Sequence, residues 1–200
     1  PFPERELRTG ELAAVLFHSF GCQGVAAGGV YDALKKNSPS GGALHPVEVY
    51  PLVRDVEGIS PGLYHYNVRS HALDLIRETD RDEAERLALV FVAGQEYFAP
   101  AHAMFMLAVR FYRHNWKYRR HPKSYRAVLM DAAHLSQTFY LVCAERGLGA
   151  FFTAAINEAN IEEEFGLDPL EQGVVGVNGC GVRKGTDPLA LVVEPYSPGQ

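Results

Sequence analysis

The feature that most limits the possible folds of this chain is one long apolar segment, Tyr125 to Arg146. Ser124 is a favourable N-cap and Gly147 a favourable C-cap, so the segment predicts a single helix of roughly 33 Å at 1.5 Å per residue. Apolar residues recur on almost every side of this helix, while Asp131 and Gln137 exclude a membrane span. The sequence therefore predicts a central helix that is buried in a folded domain.

Short strands and helices are interspersed around this helix without a regular strand–helix–strand repeat. The apolar patterns predict strands at 47–53, 62–68, 72–76, 103–111, 174–177 and 189–194, and helices at 10–20, 81–91 and 161–165. Turn residues separate the first three strands, which predicts an antiparallel meander. We therefore expect an α+β fold, with a central antiparallel sheet packed by helices, in one domain over residues 1–200.

Charge and cysteine content exclude several classes of protein. The chain has 19 basic and 24 acidic residues, a balance that does not favour nucleic-acid binding. Cys22, Cys143 and Cys180 are odd in number and widely spaced, which argues against a disulfide framework and a zinc site, and no metal is expected. The chain has neither a leader-like start nor a long apolar run, so we expect a cytoplasmic protein without a membrane segment. Because it begins with Pro1, we expect an N-terminal segment to be missing from it.

A glycine-containing loop precedes the first predicted strand of the meander. It reads Ser38-Pro39-Ser40-Gly41-Gly42-Ala43-Leu44-His45-Pro46 and contains two hydroxyls, two adjacent glycines and a histidine. Glycines allow backbone N–H groups to approach a ligand closely, as in anion-binding and cofactor-binding loops. The same composition is also typical of an ordinary turn before a strand, so the residues alone leave both interpretations open.

The segment from Tyr112 to Lys123 is the most basic and aromatic part of the chain. Such a mixture can bind nucleic acid, but one short patch on an acidic chain lacks the broad basic face expected of that function. A channel for a peptide or a cofactor uses the same residue types. Cations beside Lys117 favour its neutral form, which is a base, although a solvated lysine on a loop is the alternative.

Other segments complete a pattern that suits a phosphate-bearing planar cofactor. A second glycine-rich segment, Gly147 to Ala150, follows the long helix, and the basic pair Arg183 and Lys184 lies near the end of the chain. No Gly-x-Ser-x-Gly nucleophile motif is present, and the glycine spacing does not match a dinucleotide-binding loop.

Several of these segments together resemble the SagB/McbC-type dehydrogenases, a branch of the nitroreductase-like flavoproteins that acts in the biosynthesis of thiazole/oxazole-modified peptides. The similarity covers roughly residues 7 to 184. The segments that carry it are Pro39–Pro46, Pro61–Tyr66, Lys117-Tyr118, Asp131–His134 and Gly147–Ala150.

The resemblance implies a homodimer with FMN at the subunit interface. It implies that the flavin phosphate and ribityl chain lie on the loop residues Ser38, Pro39, Ser40, Gly41, Gly42, Ala43 and His45. It further implies that Gly149 and the segment Phe152-Thr153-Ala154-Ala155 lie near the reactive nitrogen, and that Arg183 or Lys184 adds positive charge at the phosphate. Lys117 and Tyr118 correspond to a catalytic pair.

The reaction implied by the resemblance is the oxidation of thiazoline or oxazoline rings to thiazole or oxazole. The substrate would be an azoline-containing precursor peptide made by cyclodehydratase partner enzymes. Two alternatives remain at this point. One is a nitroreductase-like flavoprotein that reduces small electrophiles with NAD(P)H, and the other is a non-catalytic scaffold subunit of a peptide-modifying complex.

Overall fold

The computed structural model describes residues 5–28 and 32–183. The helices are α1 (Thr9–Phe20), α2 (Arg81–Phe91), α3 (Phe111–Tyr118), α4 (Tyr125–Glu145) and α5 (Glu158–Phe165). The strands are β1 (Gly24–Ala26), β2 (Ala33–Lys35), β3 (Val47–Val53), β4 (Gly62–Asn67), β5 (Ala72–Glu78), β6 (Ala103–Arg110), β7 (Leu148–Thr153) and β8 (Gln172–Val182).

Six of these strands form one antiparallel sheet in the order β5-β4-β3-β6-β8-β7. The α+β fold with a central antiparallel sheet is thereby confirmed, and β5-β4-β3 is the predicted meander. The register places Val47 of β3 opposite Val109 of β6, and Ala103 of β6 opposite Cys180 of β8. The start of β3 and the end of β8 therefore lie at opposite ends of the sheet.

Helices cover both faces of the sheet. The helices α1 and α4 pack in one apolar cluster, whereas α2 and α5 belong to a second cluster. Strand β6 alternates between the two, with Phe105 and Leu107 in the first and Met104 and Met106 in the second. Burial on both faces explains why the sequence of β6 is a continuous apolar run.

Helix α4 packs on the sheet as the predicted central helix, but only one of its faces is buried. Val128, Leu135 and Phe139 face the core. Leu129 and Met130 are more than half exposed on the other side, as is Leu141 nearer the end of the helix. Apolar periodicity shows which sides of a helix are apolar, but it does not identify what covers the second apolar face of α4. Among the described helices, none is long and apolar enough to cross a membrane.

The boundaries of most predicted elements agree closely with the structure. The bounds of β3 and α2 are as predicted, while the strand predicted at 174–177 extends over Gln172–Val182. Three features were not predicted, namely the β1-β2 pair, helix α3 and strand β7. The strand predicted at 189–194 lies outside the described residues.

Glycine in β8 allows close packing of β7, and this gives a first prediction. A Cβ on Gly179 would lie 2.2 Å from the Phe151 ring, which is stacked on Phe98 at a centroid distance of 4.0 Å. We expect Gly179→Ala to lower the free energy of unfolding by about 1–3 kcal/mol in urea denaturation, because the locked ring cannot yield freely. Gly10→Ala in α1 is the control, since its Cβ would meet nothing within 4 Å. An unchanged urea midpoint for Gly179→Ala would contradict this packing.

Candidate active site

The loop before β3 has an unusual backbone. Gly41–Ala43 forms a short 3-10 turn in which Gly42 has a φ of +66°. Ala43 and His45 also have positive φ values, of +57° and +45°. A non-glycine residue in this region costs on the order of 1–3 kcal/mol, so the loop must be held by the structure around it. Strained backbone of this kind is often found at functional sites.

The loop is held mainly by one buried carboxylate of α4, that of Asp131, which is 4% exposed. The Ser40 hydroxyl donates to Asp131 Oδ2 at 2.6 Å, and the Gly41 N–H donates to Oδ1 at 3.0 Å. The His45 N–H in turn donates to Ser40 Oγ at 2.9 Å. The first two contacts close the loop onto α4, and the third joins two residues of the loop to each other.

These hydrogen bonds give a structural role to Ser38 and Ser40, the two serines that were predicted to bind the cofactor. Ser38 is buried, and its Oγ lies 2.7 Å from Thr138 Oγ1 on α4, while Ser40 is bonded to Asp131. The negative charge of Asp131 disfavours a phosphate at the same donors. A direct contact of these hydroxyls with the flavin phosphate stays a prediction, and their observed contacts position the loop.

The predicted catalytic pair lies at the tip of this loop. Lys117 Nζ donates to the Gly42 carbonyl oxygen at 3.4 Å, although the two residues are 75 positions apart in the chain. A Cβ placed on Gly42 would lie 2.7 Å from Lys117 Nζ and 2.7 Å from Tyr118 Oη. The side chains of Lys117 and Tyr118 therefore both approach the exposed backbone of Gly42. The positive φ and this close approach favour glycine at that position.

An ion pair fixes α3 against the same loop. Arg113, one helical turn before Lys117, donates from Nη1 to the His45 carbonyl oxygen at 2.8 Å and from Nη2 to Glu48 Oε1 at 2.6 Å. His65 Nε2 lies 3.3 Å from the other oxygen of Glu48. Glu48 thus joins β3 and β4 to α3, and through Arg113 it helps to set where Lys117 stands.

The charges around this ion pair shift several pKa values. Burial alone would raise the pKa of Glu48, but the hydrogen bond from His65 and the charge of Arg113 lower it to about 2. Burial lowers the pKa of Lys36 and, together with the Lys36 charge, that of His45. These groups border a cavity of about 500 Å³ beside the loop, which is large enough for part of an organic ligand.

The remaining predicted ligands lie elsewhere in the chain. Gly149 pairs with Gly181, and the Phe152 ring packs against Gly176. Thr153 Oγ1 accepts from the Ala155 N–H at 3.1 Å and so shapes the turn after β7, where Ala154 and Ala155 are exposed.

Sheet register separates Arg183 from the loop. The β3 positions opposite Val109 and Ala103 are six residue steps apart, a distance of about 20 Å, and Arg183 follows β8 beyond that point. Lys184 lies outside the described residues. A single chain therefore brings Lys117 and Tyr118 to the loop but does not bring Arg183 there.

Sequence reasoning missed the residues that position the site. Asp131 was noted as part of the family similarity and as excluding a membrane span, although a lone carboxylate on a helix predicted to be buried needs a partner. Glu48 was not assigned to the site. Its position on a largely buried strand was the available signal that it pairs with a cation.

Comparison with known proteins identifies the family. The family model described as "Nitroreductase family" matches residues 12–182. The chain belongs to the nitroreductase family. Members of this family typically bind flavin, and the membership supports an oxidoreductase. Among the described residues, no group of three or more His, Cys, Asp or Glu could hold a metal ion.

Two relatives extend the comparison. The chain is 36% identical over 140 residues to the trifolitoxin-processing protein TfxB of Rhizobium leguminosarum bv. trifolii, covering 70% of this chain but 37% of TfxB. It is 32% identical over 154 residues to MJ1384 of Methanocaldococcus jannaschii, a protein classed with the nitroreductases, covering 76% of this chain and 71% of MJ1384. The chain thus spans little more than a third of the length of TfxB.

Solved structures agree on the fold. A structure from Anabaena variabilis classed as a nitroreductase has a TM-score of 0.77 at 24% identity, over 86% of this chain and 34% of that chain. The E. coli microcin synthetase McbBCD complex with truncated pro-MccB17 bound has a TM-score of 0.74 at 24% identity, over 92% and 67%. At these identities the likeness concerns the fold alone.

The pKa of Glu48 gives a prediction on acid stability. The folded-state pKa of about 2 lies below the ordinary 4.5, so this group stabilises the fold above pH 4.5 by on the order of 3 kcal/mol. That contribution is lost as the pH falls from about 4.5 towards 2. We expect Glu48→Gln to lower the free energy of unfolding at pH 7 by a few kcal/mol, measured by urea denaturation, because Arg113 loses its buried partner.

The difference between the two proteins should shrink as the pH falls through that window. Glu85→Gln on α2 is the control, since the Glu85 side chain is 61% exposed and its ion pair with Arg54 is long, at 3.9 Å. A Glu48→Gln difference that is independent of pH would contradict the assignment of this carboxylate.

Proposed function

We propose that this protein is an FMN-dependent oxidoreductase that oxidises thiazoline or oxazoline rings in a modified precursor peptide to thiazole or oxazole. The observation that carries the proposal is the convergence of Lys117 and Tyr118 on the bare backbone of Gly42. The name of TfxB, a trifolitoxin-processing protein, supports a role in maturation, and the fold is shared with the McbBCD microcin synthetase complex with truncated pro-MccB17 bound.

The residues at the loop fit a flavin. The backbone of Gly42 is exposed, and a Cβ there would fill the space beside Lys117 Nζ and Tyr118 Oη, so the site favours a flat ligand edge against the main chain. Gly41, Gly42 and Ala43 would hold the cofactor, with Lys117 and Tyr118 beside it. When bound, FMN supplies the acceptor for the hydride that leaves the azoline ring.

The protein residues then have a proton to move. Azoline oxidation removes one proton and one hydride from adjacent ring atoms, and a ring double bond forms in their place. The Lys117 amine, in its neutral form, accepts the proton, and its contact with the Gly42 carbonyl oxygen keeps it at the loop. The Tyr118 hydroxyl donates a hydrogen bond to the charge that develops on the ring.

A homodimer would complete this site. The exposed apolar face of α4 includes Leu129, Met130 and Leu141, which is unusual for a surface that faces water. The sheet register keeps Arg183 away from the loop of its own chain. In a dimer, Arg183 of the second copy would supply positive charge to a flavin that contacts both chains. The precursor peptide and its cyclodehydratase would be the further partners.

A second candidate function is NAD(P)H-dependent reduction of small electrophiles, which family membership and the similarity to MJ1384 favour. Steady-state oxidation of NADPH separates it from azoline oxidation, which is followed as the loss of two hydrogens from a thiazoline peptide by mass spectrometry. A protein that retains no flavin and changes no peptide would instead be the scaffold subunit.

Lys117 gives the sharpest test of the mechanism. We expect Lys117→Ala to keep the fold and the flavin absorbance but to oxidise a thiazoline peptide roughly 100-fold more slowly or worse, because a general base is lost. Arg86→Ala, which removes an exposed cation on α2, should oxidise the peptide at the wild-type rate. Wild-type turnover by Lys117→Ala would remove this base from the mechanism and leave the flavin assignment standing.

The dimer is tested at the exposed face of α4. We expect Met130→Glu combined with Leu141→Glu to give a monomer by light scattering and to release flavin on gel filtration, because two buried charges would oppose association. Leu170→Glu is the matched control, since Leu170 is 88% exposed in the loop between α5 and β8 and is not part of that face. A wild-type monomer that retains its flavin would refute the shared site.

A further inference from the structure

A cationic cavity lies at the start of α4. Its volume is about 370 Å³, and its lining includes His114 and Tyr118 from α3, His121 and Lys123 from the connection, and Arg126 from the first turn of α4. The lining contains no carboxylate, whereas the cavity on the other side of the loop includes three of them. The positive charge of the lining residues is therefore not balanced by any carboxylate in the lining.

His114 supplies a second and independent observation. Its side chain is 1% exposed, and neither ring nitrogen has a hydrogen-bond partner among the described residues. The ring lies 4.7 Å from that of Tyr118, and its Cε1 is 3.6 Å from where a Cβ on Gly41 would stand. A buried imidazole without a hydrogen-bond partner destabilises the fold unless a ligand or water supplies the missing hydrogen bonds.

The helix itself adds to the positive potential. The helix α4 has 21 residues, and Ser124 at its N-cap makes no side-chain capping hydrogen bond. The N-terminus of a helix carries partial positive charge and favours anions. The cationic lining, the unpartnered histidine and the helix N-terminus thus all point to the same class of ligand.

We propose that this cavity binds the phosphate group of a phosphate ester. Two full cations, two imidazoles and two hydroxyls offer more donors than the two oxygens of a carboxylate can use, whereas a phosphate presents three terminal oxygens and nearly two negative charges. The site is separate from the Ser40–Gly41 donors, which already serve Asp131. The inference does not depend on azoline oxidation.

The phosphate has two chemical sources, namely the 5′-phosphate of the flavin and the phosphate of a second, diffusible ester such as NADPH. Inorganic phosphate is the probe that reports the shared chemistry. It is titrated into the flavin-loaded full chain and into the same chain loaded with riboflavin, at constant ionic strength set with chloride. Calorimetry gives the affinity, and nitrogen NMR of labelled histidines reports on the imidazole rings.

We expect phosphate to shift the ring signals of His114 and His121. Lys123→Ala combined with Arg126→Ala should weaken phosphate binding by about tenfold or more, since each removed cation takes a charge-assisted hydrogen bond with it. Arg86→Ala combined with Arg146→Ala removes the same charge elsewhere and should leave the affinity unchanged. Circular dichroism of every variant verifies the fold.

The two sources give different results. Binding to the FMN-loaded chain, with competition by NADPH stronger than by NADH, identifies a diffusible ester. Binding only to the riboflavin-loaded chain identifies the phosphate of FMN as the occupant, and both results support the site. The proposal is overturned if neither form shifts the signal of either histidine, or if the Lys123/Arg126 double variant binds phosphate as tightly as the wild type.

Discussion

The site depends on one buried carboxylate. Asp131 lies on the core face of α4 and accepts hydrogen bonds from the Ser40 hydroxyl and the Gly41 N–H. A buried carboxylate without donors would be very costly, so the loop and the helix require each other. The loop gains a backbone that its residues would not adopt alone, and the polar group on α4 gains the partners that it needs inside the core.

A second polar connection ties α3 to this frame. Arg113 binds both the His45 carbonyl oxygen and Glu48, and it thereby joins the loop, the first residues of β3 and the helix that carries Lys117. The two connections lie on either side of Gly42. Together they explain how residues far apart in sequence form one compact arrangement, with little contribution from apolar packing at the point itself.

Much of the fold follows from local patterns in the sequence. The bounds of β3 and α2 could be predicted because alternation, capping and apolar periodicity agree there. The helix α3 has no such pattern in its aromatic and basic residues. Its Arg113 is held by tertiary contacts with His45 and Glu48. The second face of α4 could not be interpreted either, because an exposed apolar face and a buried one have the same composition in the sequence.

The candidate site was less accessible to sequence reasoning than the fold. The motifs containing Gly42 and Lys117 were visible, and only the family resemblance gave a reason to join them. The positive φ values of Ala43 and His45 could not be predicted, because these residue types normally avoid that region. These φ values depend on tertiary hydrogen bonds, which a short stretch of sequence does not reveal.

The anchoring of the loop also has a consequence for the order of folding. Ser40 and Asp131 are separated by 91 positions, so their contact closes a large part of the chain and cannot form through local preference. Until α4 has docked on the sheet, nothing compensates the left-handed backbone at Ala43 and His45. We therefore expect the loop to reach its final shape late in folding, so that partly folded chains with a native meander would still lack the surface that faces Lys117.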